Sequence, residues 1–261
     1  MSRLTLAIGA LGAISLAPVV IAGNCDSYSH KEASNPTVRV IHASPNTPEV
    51  DIFAGAADLP SSSVQNRVLQ DVPYFTASPR LEVPSGTYFF DVVAPAAGYT
   101  PAIDLNEIKL KNDKEYTVIA AGDVSDGVDA FLFIDDNEHV EGKAKVRLIH
   151  AFENLTVDVA ESGLGTIANN FEYGTASSYY ELPPGAYNFS LLNEAGDSTI
   201  ANLPELDLEA DAVYTVIVTG YVGVAPEAQV LVDVAPDTQT ASVIDVHYTQ
   251  TSSNGSNCGS H

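Results

Sequence analysis

Short stretches of alternating apolar and polar residues fill the chain from residue 37 to residue 240, broken by Pro, Gly, Asn and Asp. Side chains on a strand alternate between two faces, so Tyr88, Phe90 and Val92 share a face, as do Tyr187, Phe189 and Leu191. Residues 80–83 and 87–93 read as a hairpin closed by Pro84-Ser85-Gly86. Beyond an apolar run at the N-terminus, no window longer than a turn or two carries the 3.6-residue period of an amphipathic helix. The pattern predicts strands throughout.

The pattern is also duplicated. Val38-Arg39-Val40-Ile41-His42-Ala43 returns as Val146-Arg147-Leu148-Ile149-His150-Ala151, each followed by Val-Asp-aliphatic at 50–52 and 157–159. Thr76-Ala77-Ser78 returns as Thr175-Ala176-Ser177, and Tyr116-Thr117-Val118-Ile119 as Tyr214-Thr215-Val216-Ile217. Leu110 precedes Tyr116 as Leu208 precedes Tyr214, the position at which a sandwich tyrosine hydrogen-bonds back to the preceding loop. About seven short strands per ~100 residues is the density of an Ig-like sandwich. The expected fold class is therefore all-β, two tandem Ig-like antiparallel β-sandwich domains after a signal peptide. Repeat 1 is expected over residues 37–141 and repeat 2 over residues 142–240. A faint third echo at 243–248 predicts one extra strand within residues 241–261, followed by a flexible tail rich in Ser, Asn and Gly.

The segment Val38-Arg-Val-Ile-His-Ala-Ser-Pro45, with Val50-Asp51-Ile52 and Val83-Pro-Ser-Gly-Thr-Tyr88, resembles the family known as domain of unknown function 4397. The resemblance covers nearly all of residues 37–240. The second copy departs from it at Phe152-Glu153-Asn154, where the Ser-Pro turn is missing. It implies an exported bacterial or archaeal β-sandwich of the envelope or cell surface, with no established enzymatic activity.

The N-terminus agrees with export. Arg3 precedes an apolar run from Leu4 to Ala22 that ends in the small-x-small pattern Val20-Ile21-Ala22, so residues 1–22 read as a signal peptide and 23–36 as a linker. An uncleaved anchor and a lipid on Cys25 are the competing readings. The expected location is periplasmic, extracellular or cell-surface, with no membrane span after cleavage. In that oxidising setting Cys25 and Cys258, which bracket the repeats, are expected to form a disulfide, within one chain or between two. With 11 Lys+Arg against 34 Asp+Glu, a net charge of −23, nucleic acid and anionic membrane surfaces are excluded as partners. No Lys or Arg follows Arg147, so the acids beyond it have no cation nearby in sequence.

Candidate chemistry is sparse. His42, His150 and His247 occupy equivalent positions, on the face of core valines such as Val38 and Val40, and are expected to be structural histidines bonded to loop backbone. No catalytic residue is expected: a nucleophile elbow is absent, and Ser61-Ser62-Ser63 reads as loop. Asp123, Asp126 and Asp129 around Gly127 offer three carboxylates to calcium, against the alternative of a solvated acidic loop. No other cofactor is expected. Tyr179-Tyr180, near Tyr173 and Tyr187, suits carbohydrate or partner contact, although the chain has no Trp. The expected function is an exported, non-enzymatic structural or adhesive protein whose partner is a cell surface or a second copy. The alternatives are a calcium- or glycan-binding module and a hydrolase with an unrecognised site.

Overall fold

Both copies of the Val-Arg-aliphatic-Ile-His-Ala strand are buried on both faces, a condition that near-continuous apolar strands satisfy and alternating ones do not. The computed structural model describes residues 33–56, 67–93, 101–123, 127–220, 226–235 and 243–246, with backbone alone at 56, 101–106 and 243–246. The expected signal segment, Cys25, Cys258, His247, Asp126 and most of the tail lie outside the described residues.

The first repeat contributes β1 (Thr37–Ala43), β2 (Val50–Ala56), β3 (Arg67–Val72), β4 (Thr76–Ala77), β5 (Leu81–Glu82), β6 (Gly86–Val93), β7 (Pro101–Leu110), β8 (Glu115–Ala121) and β9 (Asp129–Asp135). The second contributes β10 (Ala144–Phe152), β11 (Val157–Glu161), β12 (Gly165–Phe171), β13 (Thr175–Ala176), β14 (Tyr180–Leu182), β15 (Gly185–Tyr187), β16 (Phe189–Asn193), β17 (Thr199–Asn202), β18 (Leu206–Leu208), β19 (Val213–Gly220) and β20 (Glu227–Val234). A last strand, β21 (Val243–Val246), follows. The fold is all-β, two sandwiches in tandem, with no helix among the described residues.

In the first sandwich the sheet β4-β1-β8-β9, with β5 also on β1, faces the sheet β3-β2-β6-β7. The expected hairpin of residues 80–83 and 87–93 therefore does not form: β5 and β6 pair in opposite sheets, and the Pro84-Ser85-Gly86 turn crosses between them. In the second, β13-β10-β19-β20-β21, with β14 on β10, faces β12-β11-β16-β17, and β15 pairs with β18. Pairing is antiparallel with one exception per repeat: β1 runs parallel to β8, and β10 to β19. The chain passes through the opposite sheet between the two strands of each such pair, which supplies the long crossover that parallel neighbours need.

Alternation along these strands builds three apolar layers. Val38, Val40, Tyr116 and Val118 face the interior of the first sandwich, and Val146, Leu148, Tyr214 and Val216 that of the second. The opposite faces hold Ile41, Ala43, Ile119 and Ala121 in one repeat, and Ile149, Ala151 and Ile217 in the other. These two faces pack on each other, with Phe75, Phe131, Phe133 and Leu231 completing the layer. The described residues accordingly form one compact unit. Two sandwiches merely strung along a rod would leave this layer in water.

The duplicated motifs have identifiable jobs. Tyr116 Oη accepts the N–H of Lys111, and Tyr214 Oη that of Glu209, both at 3.0 Å, which are the corners the spacing predicts. Asp51 and Asp158 of the Val-Asp-aliphatic motif accept the N–H groups of Asp71 (3.0 Å) and Asn170 (2.8 Å). Those two residues are left-handed, at φ 50° and 49°. Ser78 and Ser177 hydroxyls accept the N–H of Val40 and Leu148, closing the ladder where the paired strand is interrupted.

Candidate functional site

The most organised polar cluster lies at one end of the seam between the repeats. Arg39 in β1 and Arg147 in β10 project from the faces that carry Ile41 and Ile149, into the neighbouring repeat. Arg39 Nη1 meets Asp233 Oδ1 at 2.5 Å, and Arg147 Nη2 meets Asp135 Oδ1 at 2.7 Å. Each guanidinium therefore pairs with the carboxylate of the other repeat. Thr117 and Thr215 complete the symmetry. Their hydroxyls donate to Asp135 (2.7 Å) and Asp233 (2.5 Å) of their own repeats, and accept from Arg39 (3.0 Å) and Arg147 (3.1 Å). The side chains of Asp135 and Asp233 are fully buried. Burial alone would raise the Asp135 carboxyl, but Arg147, Arg80 and Arg39 together hold it below its ordinary value.

The symmetry breaks at one position. Arg80, which follows the Thr-Ala-Ser motif, reaches Asp135 at 2.8 Å and lies 3.6 Å from Asp233. Its counterpart after the second Thr-Ala-Ser is Tyr179, whose ring lies 4.7 Å from Lys145 Nζ and 5.0 Å from the Arg147 guanidinium carbon. Tyr179 Oη also accepts the N–H of Asp136. Beside this ring an open groove of about 650 Å³ is lined by Asp136, Glu138, His139, Val140, Glu141, Lys145, Tyr179 and Glu181. Lys145 is held by Asp136 at 2.7 Å.

The other end of the seam carries neutral and acidic contacts. Tyr74 donates to Glu227 (2.6 Å), Gln229 to the Phe75 carbonyl (2.8 Å), and Thr219 to the Ala43 carbonyl (2.5 Å). Asp123 sits here. Its N–H donates to Glu153 Oε2 at 2.6 Å, and its carboxylate accepts from Asn46. Asp129 is exposed beside Tyr173, whose phenol is pushed up by burial and by Asp129 and Glu153. Among the described residues no group of three or more His, Cys, Asp and Glu is placed to hold a metal ion.

His42 and His150 sit at equivalent places, one in each sandwich. His150 Nε2 lies 3.0 Å from the Leu155 carbonyl and Nδ1 accepts the Phe152 N–H at 3.2 Å. His42 Nε2 lies 3.3 Å from the Thr47 carbonyl and 3.2 Å from that of Pro48. Both imidazoles are pushed down by burial, His150 to about 4. They are neutral fasteners for the loop that follows each strand.

Sequence reasoning singled out the histidines and the Asp123 loop but passed over the arginine seam. The signal was present: an arginine recurring inside an otherwise apolar strand, a recurring Thr beside it, and an Asp ending both Phe131-Leu-Phe-Ile-Asp135 and Val230-Leu-Val-Asp233.

The family model described as "Domain of unknown function (DUF4397)" matches twice, over residues 36–160 and 144–254. No curated protein sequence matches the chain. Among solved structures, the chain is similar to a family 26 carbohydrate-binding module from Eubacterium rectale, crystallised with maltoheptaose. That pair shares 11% identity over 78% of this chain and 100% of the other, with a TM-score of 0.24. A leucine-rich repeat protein from Bacteroides thetaiotaomicron shares 14% identity over 73% of this chain and 26% of its own, with a TM-score of 0.19.

Proposed function

Because the chain belongs to the DUF4397 family, which it matches twice, we propose that it is an exported, non-enzymatic structural or adhesive module of the envelope or cell surface. One observation carries this reading. The two repeats share an apolar layer and exchange buried ion pairs, which makes a stiff unit that holds its loops at fixed separation. The apolar run before residue 23 supports export, and the net charge of −23 suits a solvated, cation-rich exterior. The test is location and attachment. Surface labelling of intact producing cells should detect the protein, and a deletion strain should lose binding to a surface that the purified protein restores. Retention in the cytosol, or unchanged attachment in the deletion strain, would contradict it.

The groove beside Tyr179 favours a second reading, a module for a glycan or for calcium. Its volume is in the range of small-ligand sites, and it joins an aromatic ring to several carboxylates. A glycan array and a calcium titration, each repeated with Tyr179→Ala, would support it by a signal that the variant loses.

A further inference from the structure

We propose that the outer edge of β9 is a self-association site, at which a second copy of the chain adds its own β9 antiparallel and joins two molecules in one continuous sheet. This deepens the structural-module reading and rests on it.

An exposed strand edge is a template for pairing unless it is short, bulged or charged. Among the described residues the other edges have such protection. Register shifts interrupt β3, β7, β12 and β17 where they meet their neighbours. The edges formed by β4, β5, β13, β14, β15, β18 and β21 are two to four residues long. By contrast β9 has seven residues in unbroken register with β8, and Ala130–Ile134 is wholly apolar.

The duplication supplies the comparison. Thr117 pairs with Phe133 as Thr215 pairs with Leu231, so β20 is the counterpart of β9. The outer edge of β20 is covered by β21, antiparallel across Ala228–Leu231. Under that cover Val230 is 4% exposed, whereas its equivalent Leu132 is 37% exposed, and Ile134 is 60% exposed. Among the described residues no strand pairs with the outer edge of β9.

The same comparison points to the occupant. This edge geometry takes an antiparallel apolar strand. Moving β21 there from another molecule would bare the edge of β20, so no pairing would be gained. A second β9 brings an edge that is likewise paired by no strand among the described residues, with Arg147 Nη1 donating to its Ile134 carbonyl at 3.2 Å and leaving that oxygen a second lone pair. About a two-fold axis at Leu132, Phe131 faces Phe133 and Ala130 faces Ile134, pairs that stabilise a sheet. The contact is isologous and closes at a dimer. With −23 on each copy, mutual repulsion weakens it at low ionic strength, and salt strengthens it.

Sedimentation velocity on the full chain under reducing conditions tests the idea. The expected result is a reversible dimer that grows with salt, is abolished by Ile134→Lys and is unaffected by Leu164→Lys, a change at an exposed apolar residue elsewhere. Circular dichroism should show Ile134→Lys folded. In a Cys25→Ser, Cys258→Ser background, oxidised Leu132→Cys should give a covalent dimer, because opposed residues in an antiparallel pair lie about 4.5–5.5 Å apart at Cα. A monomer at every salt and protein concentration, a dimer that survives Ile134→Lys, or a dimer that Leu132→Cys fails to cross-link would each overturn it. A monomer that still unfolds as one unit would sink the edge pairing alone and leave the structural-module reading standing.

Discussion

Arg39 and Asp233, 194 residues apart in sequence, form a buried ion pair that ties the first strand of one repeat to the last long strand of the other. With its counterpart, Arg147 to Asp135, it makes each sandwich depend on a charge supplied by its neighbour. The acids beyond Arg147 have no cation of their own in sequence, and Asp233 obtains one from the first repeat.

Removing one member of such a pair strands the other in the interior. Arg147→Met leaves Asp135 with only Arg80 at close range, and Asp233→Leu leaves Arg39 without its carboxylate. Asp233→Leu is expected to destabilise by about 3–5 kcal/mol, measured by urea unfolding, and Arg147→Met by less, because Arg80 still pairs with Asp135. The double change Arg39→Met with Asp233→Leu should cost less than Asp233→Leu alone, because no charge is left stranded.

Gly174, in the second repeat, tests the apolar part of the seam. Its φ is +76°, and a Cβ there would run into the ring of Phe131 from the first repeat. Gly174→Ala should therefore destabilise by about 2 kcal/mol or more, about 1 of it from the left-handed backbone. Phe131→Leu in the same chain should relieve the clash but not the backbone strain. An unaltered urea midpoint in Gly174→Ala would contradict the packing described.

Stability should fall as the pH drops from neutral. The folded state protonates His150 only near 4, while the unfolded chain protonates it near 6.5. Between those values the unfolded state binds more protons, so stability rises with pH there and is complete above about 6.5. The loss by pH 4 is about 3 kcal/mol from this residue. His42, also pushed down by burial, acts in the same direction. Asp135 is depressed, so its contribution is present above the ordinary carboxylate range and is lost only below about pH 4. Urea midpoints from pH 7 to pH 4 should decline, and less steeply in His150→Asn.

Melting temperature should climb with added salt, since screening relieves a net charge of −23 while the buried ion pairs are shielded from it. A midpoint that is flat from low to high ionic strength would contradict this.

Much of the fold was legible because period-two patterning and a literal duplication leave marks in sequence. The face shared by Tyr88, Phe90 and Val92 lines the first sandwich, and both tyrosine corners form. The docking of the repeats is not legible in this way, although Ile41, Ile119, Ile149 and Ile217 stand on the faces opposite the sandwich cores. An isoleucine on a second face is as compatible with an exposed sheet as with a covered one until a partner surface is known. The pairing of Arg39 with Asp233 is hidden for a related reason: the recurring Arg, Thr and Asp mark the polar positions, but 194 residues separate these two partners and nothing local says that they meet. Of the candidate calcium ligands, Asp123 proves to be engaged with Asn46 and Glu153, partners that spacing along the chain does not reveal.

The central claim is that the two repeats are one cooperative body. Differential scanning calorimetry of the full chain measures it most directly, through the ratio of calorimetric to van't Hoff enthalpy. A single transition with a ratio near one is expected, shifted as a whole by Arg147→Met. Two separable transitions, with only one of them moved by that substitution, would contradict it.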